Sequence, residues 1–154
     1  MYSSSAREID RFNIRVYGIC IKNKKVLLVK ENMAGFEFTK FPGGGLEFGE
    51  GLKEGLKREI FEEIGLDSKI TSHFYTTDFF QKSAFKSNEQ LISIYYFIEI
   101  KNLLPETDFP LETEQADNHK ITFFWQALDT LKTDDVTFAI DKLIVEKLKE
   151  IDLK

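Results

Sequence analysis

The chain has 154 residues, enough for one domain with a real hydrophobic core. Its 42% hydrophobic and 31% charged residues match an ordinary globular protein, and 15 phenylalanines weigh against disorder beyond the N-terminal segment. A net charge of −5 without a basic tail argues against broad nucleic-acid binding, so a polyanionic ligand would need a metal ion or a few local lysines.

The opening "MYSSSAREIDRF" lacks the apolar core of a signal peptide and reads as a flexible or edge segment. "FNIRVYGICIKNKKVLLVKE" holds two β-branched runs around the polar "KNKK", which predicts a hairpin of strands. Cys20, the single cysteine, lies in the first run. It rules out an intrachain disulfide and a thiolate zinc site, and reads as a buried structural thiol. "MAGFEFTKFPGGG" reads as a loop closed by Pro42 and three glycines. Over residues 51–64, Leu52, Leu56, Ile60 and Ile64 recur every four positions, which predicts a helix with one apolar ridge. Gly65 is its natural stop.

"KITSHFYTTDFF" and "EQLISIYYFIEI" read as two further strands. "KNLLPETDFPLETEQADNHK", with two prolines and many acids, reads as a long loop, and "ITFFWQAL" as the next strand. From about Asp134, the apolar residues Phe138, Ile140, Leu143, Ile144, Leu148 and Ile151 predict a C-terminal helix packed on the sheet. There is no repeat and no linker, so residues 1–154 read as a single α/β domain. No apolar stretch approaches membrane-spanning length, and a cytoplasmic protein is the expectation.

The predicted helix concentrates negative charge. Residues three and four apart share a helical face, so Glu59, Glu62 and Glu63 project together. An exposed like-charge pair costs only about 0.2–0.5 kcal/mol, so a solvated acidic face is physically allowed. The neighbours favour another reading. Gly55, one turn earlier, costs about 1 kcal/mol relative to alanine but leaves space beside the carboxylates. Gly43, Gly44 and Gly45 let the backbone approach a ligand closely. Carboxylates with an exposed carbonyl make a hard-oxygen site suited to Mg²⁺ or Mn²⁺. Arg58 stands ready to orient Glu59 or Glu62 through paired hydrogen bonds.

Read from Gly44, the segment is glycine, five residues, Glu50, seven residues, then "REIFEEIGL". It resembles the complete signature of the Nudix hydrolases, GX5EX7REUXEEXGU, where U is a bulky aliphatic residue. With residue frequencies of roughly 5–7%, seven fixed positions match by chance less than about once in ten million windows. "FPGGGLEFGE" and "FFWQALDTL" also resemble the family's loop before the helix and its late strand.

The resemblance implies an α/β/α sandwich around a central mixed β-sheet. It also implies Mg²⁺-dependent hydrolysis of a nucleoside diphosphate linked to another moiety, with Mn²⁺ as an alternative. By position it makes Glu59, Glu62 and Glu63 metal ligands, with the Gly44 carbonyl as a further candidate. Glu50 would support the metal site or its water, and Arg58 would hold a glutamate in place. The family's general base varies. A signature glutamate could serve, or an acid of the loop before "HKITFFW", where Glu112, Glu114 and Asp117 lie near His119.

Phe36, Phe38 and Phe41 precede the glycine loop, where a Nudix-like arrangement would place substrate-pocket walls, though core packing competes. Lys40 is a candidate to meet a phosphate. His73 and Trp125 read as structural residues. The partner implied is a small nucleotide or nucleotide derivative, and a homodimer is compatible with it. Two other readings use the same fold. A nucleotide-sensing module would be expected to lose signature glutamates, and an isoprenoid diphosphate isomerase to supply a catalytic cysteine. Neither matches these residues, and the sequence leaves the substrate open.

Overall fold

A computed structural model of the chain describes residues 8–103, 110–115 and 118–151. Its strands are β1 (Arg11–Ile19), β2 (Ile21–Lys22), β3 (Lys25–Met33), β4 (Phe36–Lys40) and β5 (Gly43–Gly45), followed by helix α1 (Leu52–Ile64). Then come β6 (Ser68–Thr76), β7 (Glu89–Ile100), β8 (Leu111–Gln115) and β9 (His119–Ala127). Two short 3-10 turns, Leu128–Thr130 and Thr133–Asp135, lead to α2 (Ala139–Glu150).

The strands form two sheets rather than the single one expected. One has the order β5-β1-β7-β6; the other runs β2-β3-β9-β8, with β4 also paired to β3. β1 and β7 run parallel and the other pairs antiparallel, so the architecture is mixed. Side-chain alternation along the strands builds two cores. Val16, Leu27, Val29, Ile94 and Tyr96 meet Leu56 and Ile60 of α1 in one. Tyr17, Ile19, Val26, Leu28 and Tyr95 meet Ile140, Ile144 and Leu148 of α2 in the other. The result is the α/β/α layering expected. Leu56 and Ile60 are fully buried, each stabilising the packing of α1 by about 1.5–3 kcal/mol.

Helix α1 has the predicted extent. The Glu54 carboxylate accepts the Gly51 backbone N–H at 3.2 Å, and Gly65, at φ 76°, closes the helix by donating to Phe61 O. Three expectations about strands need correction. The first hairpin joins β2, not β1, to β3. Asn23 and Lys24 take positive φ in its two-residue turn, while β1 leaves at Cys20 to pair with β7. "FEFTK" is a strand, because its alternation matches β3 across the Ala34–Gly35 turn. The glycines themselves form β5, which pairs with β1 through backbone alone, Gly45 facing Arg15. Part of the predicted acidic loop is strand β8, and the C-terminal helix begins at Ala139 rather than Asp134.

Cys20 is buried, which pushes its thiol up to about 11, the state of an inert structural cysteine. Among the described residues, no helix is long and apolar enough to cross a membrane.

Candidate active site

Arg58 is the hub of the signature segment. Its Nε and Nη2 grip the Glu50 carboxylate at 2.7–3.2 Å, and Nη2 also donates to Gly45 O at 2.9 Å. Nη1 donates to Glu59 Oε1 and to Glu62 Oε2, both at 3.1 Å. A planar guanidinium thereby joins the glycine strand, the loop before α1 and two carboxylates of α1. Glu50 also accepts the Glu47 backbone N–H at 2.8 Å. Hydrogen bonds from Arg58 and Glu47 hold the Glu50 carboxyl below its ordinary pKa. Glu50 thus locks Arg58 in place within the protein.

Two glycines have steric reasons to be glycine. A Cβ on Gly55 would lie 2.7 Å from Leu46 Cδ1 and 2.9 Å from Glu50 Oε1. A Cβ on Gly44 would lie 2.5 Å from the Glu59 carboxylate. The structure therefore seats Glu59 directly against the backbone of β5.

Glu63 lies deeper. Its Oε2 is buried and, among the described residues, has no hydrogen-bond partner. Burial pushes its carboxyl up to about 8; Lys40 pulls the other way, and Glu31 and Glu59 add to the rise. Burial likewise raises Glu59, against the pull of Arg58. Glu62 remains more than half exposed. An orphaned buried carboxyl oxygen, with the Glu59 carboxylate near enough to raise its pKa, is the kind of donor that fits a hard divalent cation. Among the described residues, however, no three acidic, histidine or cysteine side chains are gathered as a ready metal site, since Arg58 holds Glu59 and Glu62 toward itself. Arg58 takes one oxygen of each, Glu59 Oε1 and Glu62 Oε2, and leaves the other oxygen of each to a cation.

Lys40 does not reach outward as expected. It is buried, and its Nζ donates to Glu31 Oε2 at 2.8 Å, Gly43 O at 3.1 Å and Phe41 O at 3.4 Å. An ammonium has three donors, so none is left for a phosphate. Burial opposes its charge, but Glu63 and Glu31 hold its pKa above the ordinary lysine value. Lys40 serves instead as an internal counter-cation that fixes the glycine strand.

Phe41 is fully buried, edge-on to Tyr95, and so belongs to the core rather than to a pocket wall. Phe38 is covered by Phe36, Phe85 and Phe138, and of these Phe36 and Phe85 are exposed. Glu112 pairs with Lys120 at 2.7 Å on the exposed β8–β9 ladder, and Glu114 is exposed. Asp117 lies outside the described residues. His119 Nε2 lies 2.7 Å from Glu31 Oε1. His73 sits on β6 beside the Tyr96 ring.

Three residues the sequence reading passed over stand at the site: Glu31, Arg15 and Tyr17. Glu31 is buried between Lys40 and His119. Burial disfavours its charge, but these partners outweigh it and lower its pKa. Arg15 Nε donates to Tyr17 Oη at 2.6 Å. The signal available was a polar residue interrupting a period-2 apolar face, as in Leu27, Val29, Glu31.

The NUDIX domain family model matches residues 12–146, and the chain belongs to the Nudix family. Over 85 residues it is 32% identical to an 8-oxo-dGTP diphosphatase of Buchnera aphidicola subsp. Schizaphis graminum, a match covering 54% of this chain and 59% of that protein. Over 60 residues it is 42% identical to an ADP-ribose pyrophosphatase of Methanocaldococcus jannaschii, covering 38% and 36% respectively. Each match thus spans only part of the relative's length. The fold is similar to that of a MutT Nudix hydrolase from Burkholderia pseudomallei, with TM-score 0.69 and 17% identity over 90% of this chain and 99% of that one.

Proposed function

We propose that this chain is a divalent-metal-dependent pyrophosphohydrolase. It would cleave a nucleoside diphosphate linked to another moiety, of nucleoside triphosphate or nucleotide-sugar type, by attack of water at phosphorus. The observation that carries this reading is the Arg58-organised carboxylate cluster with the orphaned, buried Oε2 of Glu63. The names of the two relatives support the reaction class, and their different substrates leave the nucleotide open.

A bound Mg²⁺ or Mn²⁺, held by Glu59, Glu62, Glu63 and the Gly44 carbonyl, would neutralise pyrophosphate charge and acidify the attacking water. The chain's own residues do the positioning. Arg58, locked by Glu50, sets the rotamers of Glu59 and Glu62. Lys40, tied to Gly43 O, fixes the glycine backbone and balances Glu63. A carboxylate of α1 is the favoured acceptor of the water proton, because it stands in the cluster that would hold the cation, whereas Glu112 lies on the exposed β8–β9 ladder. The same reading puts the enzyme among free nucleotides, in the cytoplasm.

The test is a panel of nucleoside triphosphates, nucleotide sugars and dinucleotides, with and without Mg²⁺ or Mn²⁺. Release of phosphate or a nucleoside monophosphate from at least one member, only with the cation, is expected. Hydrolysis of none, at any cation concentration, would defeat the reading.

A further inference from the structure

Three cations surround the glycine strand β5, and they differ in what their donors meet. Arg58 is bound on both faces of its fork, and all three donors of Lys40 are taken. Arg15 is different. Only its Nε is engaged, by Tyr17 Oη. Among the described residues, no acceptor lies within hydrogen-bonding distance of Nη1 or Nη2, which leaves four N–H groups unoccupied.

That free edge is firmly aimed. Arg15 faces Gly45 in the β1–β5 pairing, and a Cβ on Gly45 would lie 3.7 Å from Arg15 Nη1. On the neighbouring glycine, Gly44, a Cβ would instead meet the Glu59 carboxylate. Alternation puts these two contacts on opposite faces of β5. The side-chain-free strand is therefore thin enough to bring Arg15 and Glu59 into one electrostatic neighbourhood, and Glu59 contributes to holding the guanidinium charged.

The aromatic support behind Arg15 is rigid. The Tyr17 ring stacks on Tyr95 at 5.1 Å between centroids, and Tyr95 Oη donates at 2.5 Å to Oδ1 of Asp141, which is buried in the first turn of α2. A cation held at its root, with an open planar fork, matches the oxygens of a phosphate better than a flexible surface lysine does.

We propose that Arg15 is the phosphate anchor of the substrate: its free Nη edge binds the pyrophosphate oxygens and sets which phosphorus lies over the α1 carboxylates. This rests on the pyrophosphohydrolase reading. It assigns to β1 the anion contact that the sequence suggested for Lys40.

The experiment titrates inorganic pyrophosphate into wild type, Arg15→Lys and Arg15→Met by calorimetry, first without divalent cation and then with Mg²⁺. Steady-state kinetics follow on the panel nucleotide turned over fastest. Removing a charge-assisted fork should weaken pyrophosphate binding by roughly tenfold to a hundredfold in Arg15→Met, with Arg15→Lys intermediate. Most of the kinetic loss should fall on KM rather than kcat, and free guanidinium ion should restore part of it to Arg15→Ala.

Pyrophosphate affinity and KM unchanged in Arg15→Met would overturn the proposal. So would a loss confined to kcat that guanidinium does not relieve, since a merely structural role predicts it. If Arg15→Met does not fold, the charge-retaining Arg15→Lys carries the same comparison. If wild type hydrolyses nothing on the panel, the catalytic reading falls, while the pyrophosphate titration still decides on Arg15.

Discussion

If the proposed cation binds Glu63, its binding is linked to pH through that carboxyl. Burial holds its carboxyl at about 8 in the metal-free protein, so most molecules carry a proton there at pH 7 and few at pH 9. A carboxylate must be deprotonated to ligate a cation. Saturating Mg²⁺ or Mn²⁺ should therefore release a proton from this group at pH 7, and far less at pH 9.

The same shift bears on stability. The folded pKa lies above the unfolded value of about 4.3. Neutral Glu63 thus contributes stability that is complete below about pH 4 and is lost as pH rises through about 8. Metal-free melting temperature should decline from about pH 4 to about pH 8 and level off above that, and saturating cation should flatten that decline. Calorimetric titrations of Mg²⁺ at pH 7, in two buffers with different ionisation heats, read the proton count directly. Equal heats in the two buffers, or undiminished release from Glu63→Gln, would refute the reasoning.

Two further outcomes follow from the same cluster. Saturating Mg²⁺ should raise the melting temperature of wild type, by the equivalent of about 2.7 kcal/mol at a hundredfold excess over its dissociation constant, and raise that of Glu59→Gln/Glu63→Gln much less. Without metal the double variant should melt at or above the metal-free wild type, because two carboxyls whose ionisation burial disfavours are gone; thermal scans with and without cation check both points. Gly44→Ala puts a methyl 2.5 Å from the Glu59 carboxylate that Arg58 holds, so kcat should fall at least about tenfold while the melting temperature moves by only a few degrees, compared in parallel kinetic and thermal assays.

Local pattern made helix α1 readable. Four apolar residues at fixed spacing defined α1, Gly65 defined its end, and strand β7 ran over the residues its apolar run predicted. What escaped was non-local. β1 pairs with β7, about eighty positions away, and no turn residue announces a parallel partner. The glycine strand β5 carries no side-chain pattern at all, so its pairing with β1 is visible only once the sheet exists.

The charge partners were hidden for the same reason. Lys40 read as a candidate phosphate contact until Glu31, on the neighbouring strand, was brought diagonally beside it, and His119 reaches Glu31 from β9. Arg15 read as one polar residue in an ordinary strand. Its meaning depends on Gly45 opposite and on the Tyr17–Tyr95–Asp141 stack behind it.

The central claim is that the carboxylates of α1 hold the cation that hydrolysis requires. Turnover of the panel substrate in oxygen-18-labelled water tests it most directly, with wild type, Glu62→Gln and Glu63→Gln each run with Mg²⁺ and with chelator. The account predicts label in one phosphate product of the wild type with Mg²⁺, none with chelator, and rates lower by at least about a hundredfold in both variants. Near-wild-type labelling in both variants, or labelling that persists without a divalent cation, would contradict it.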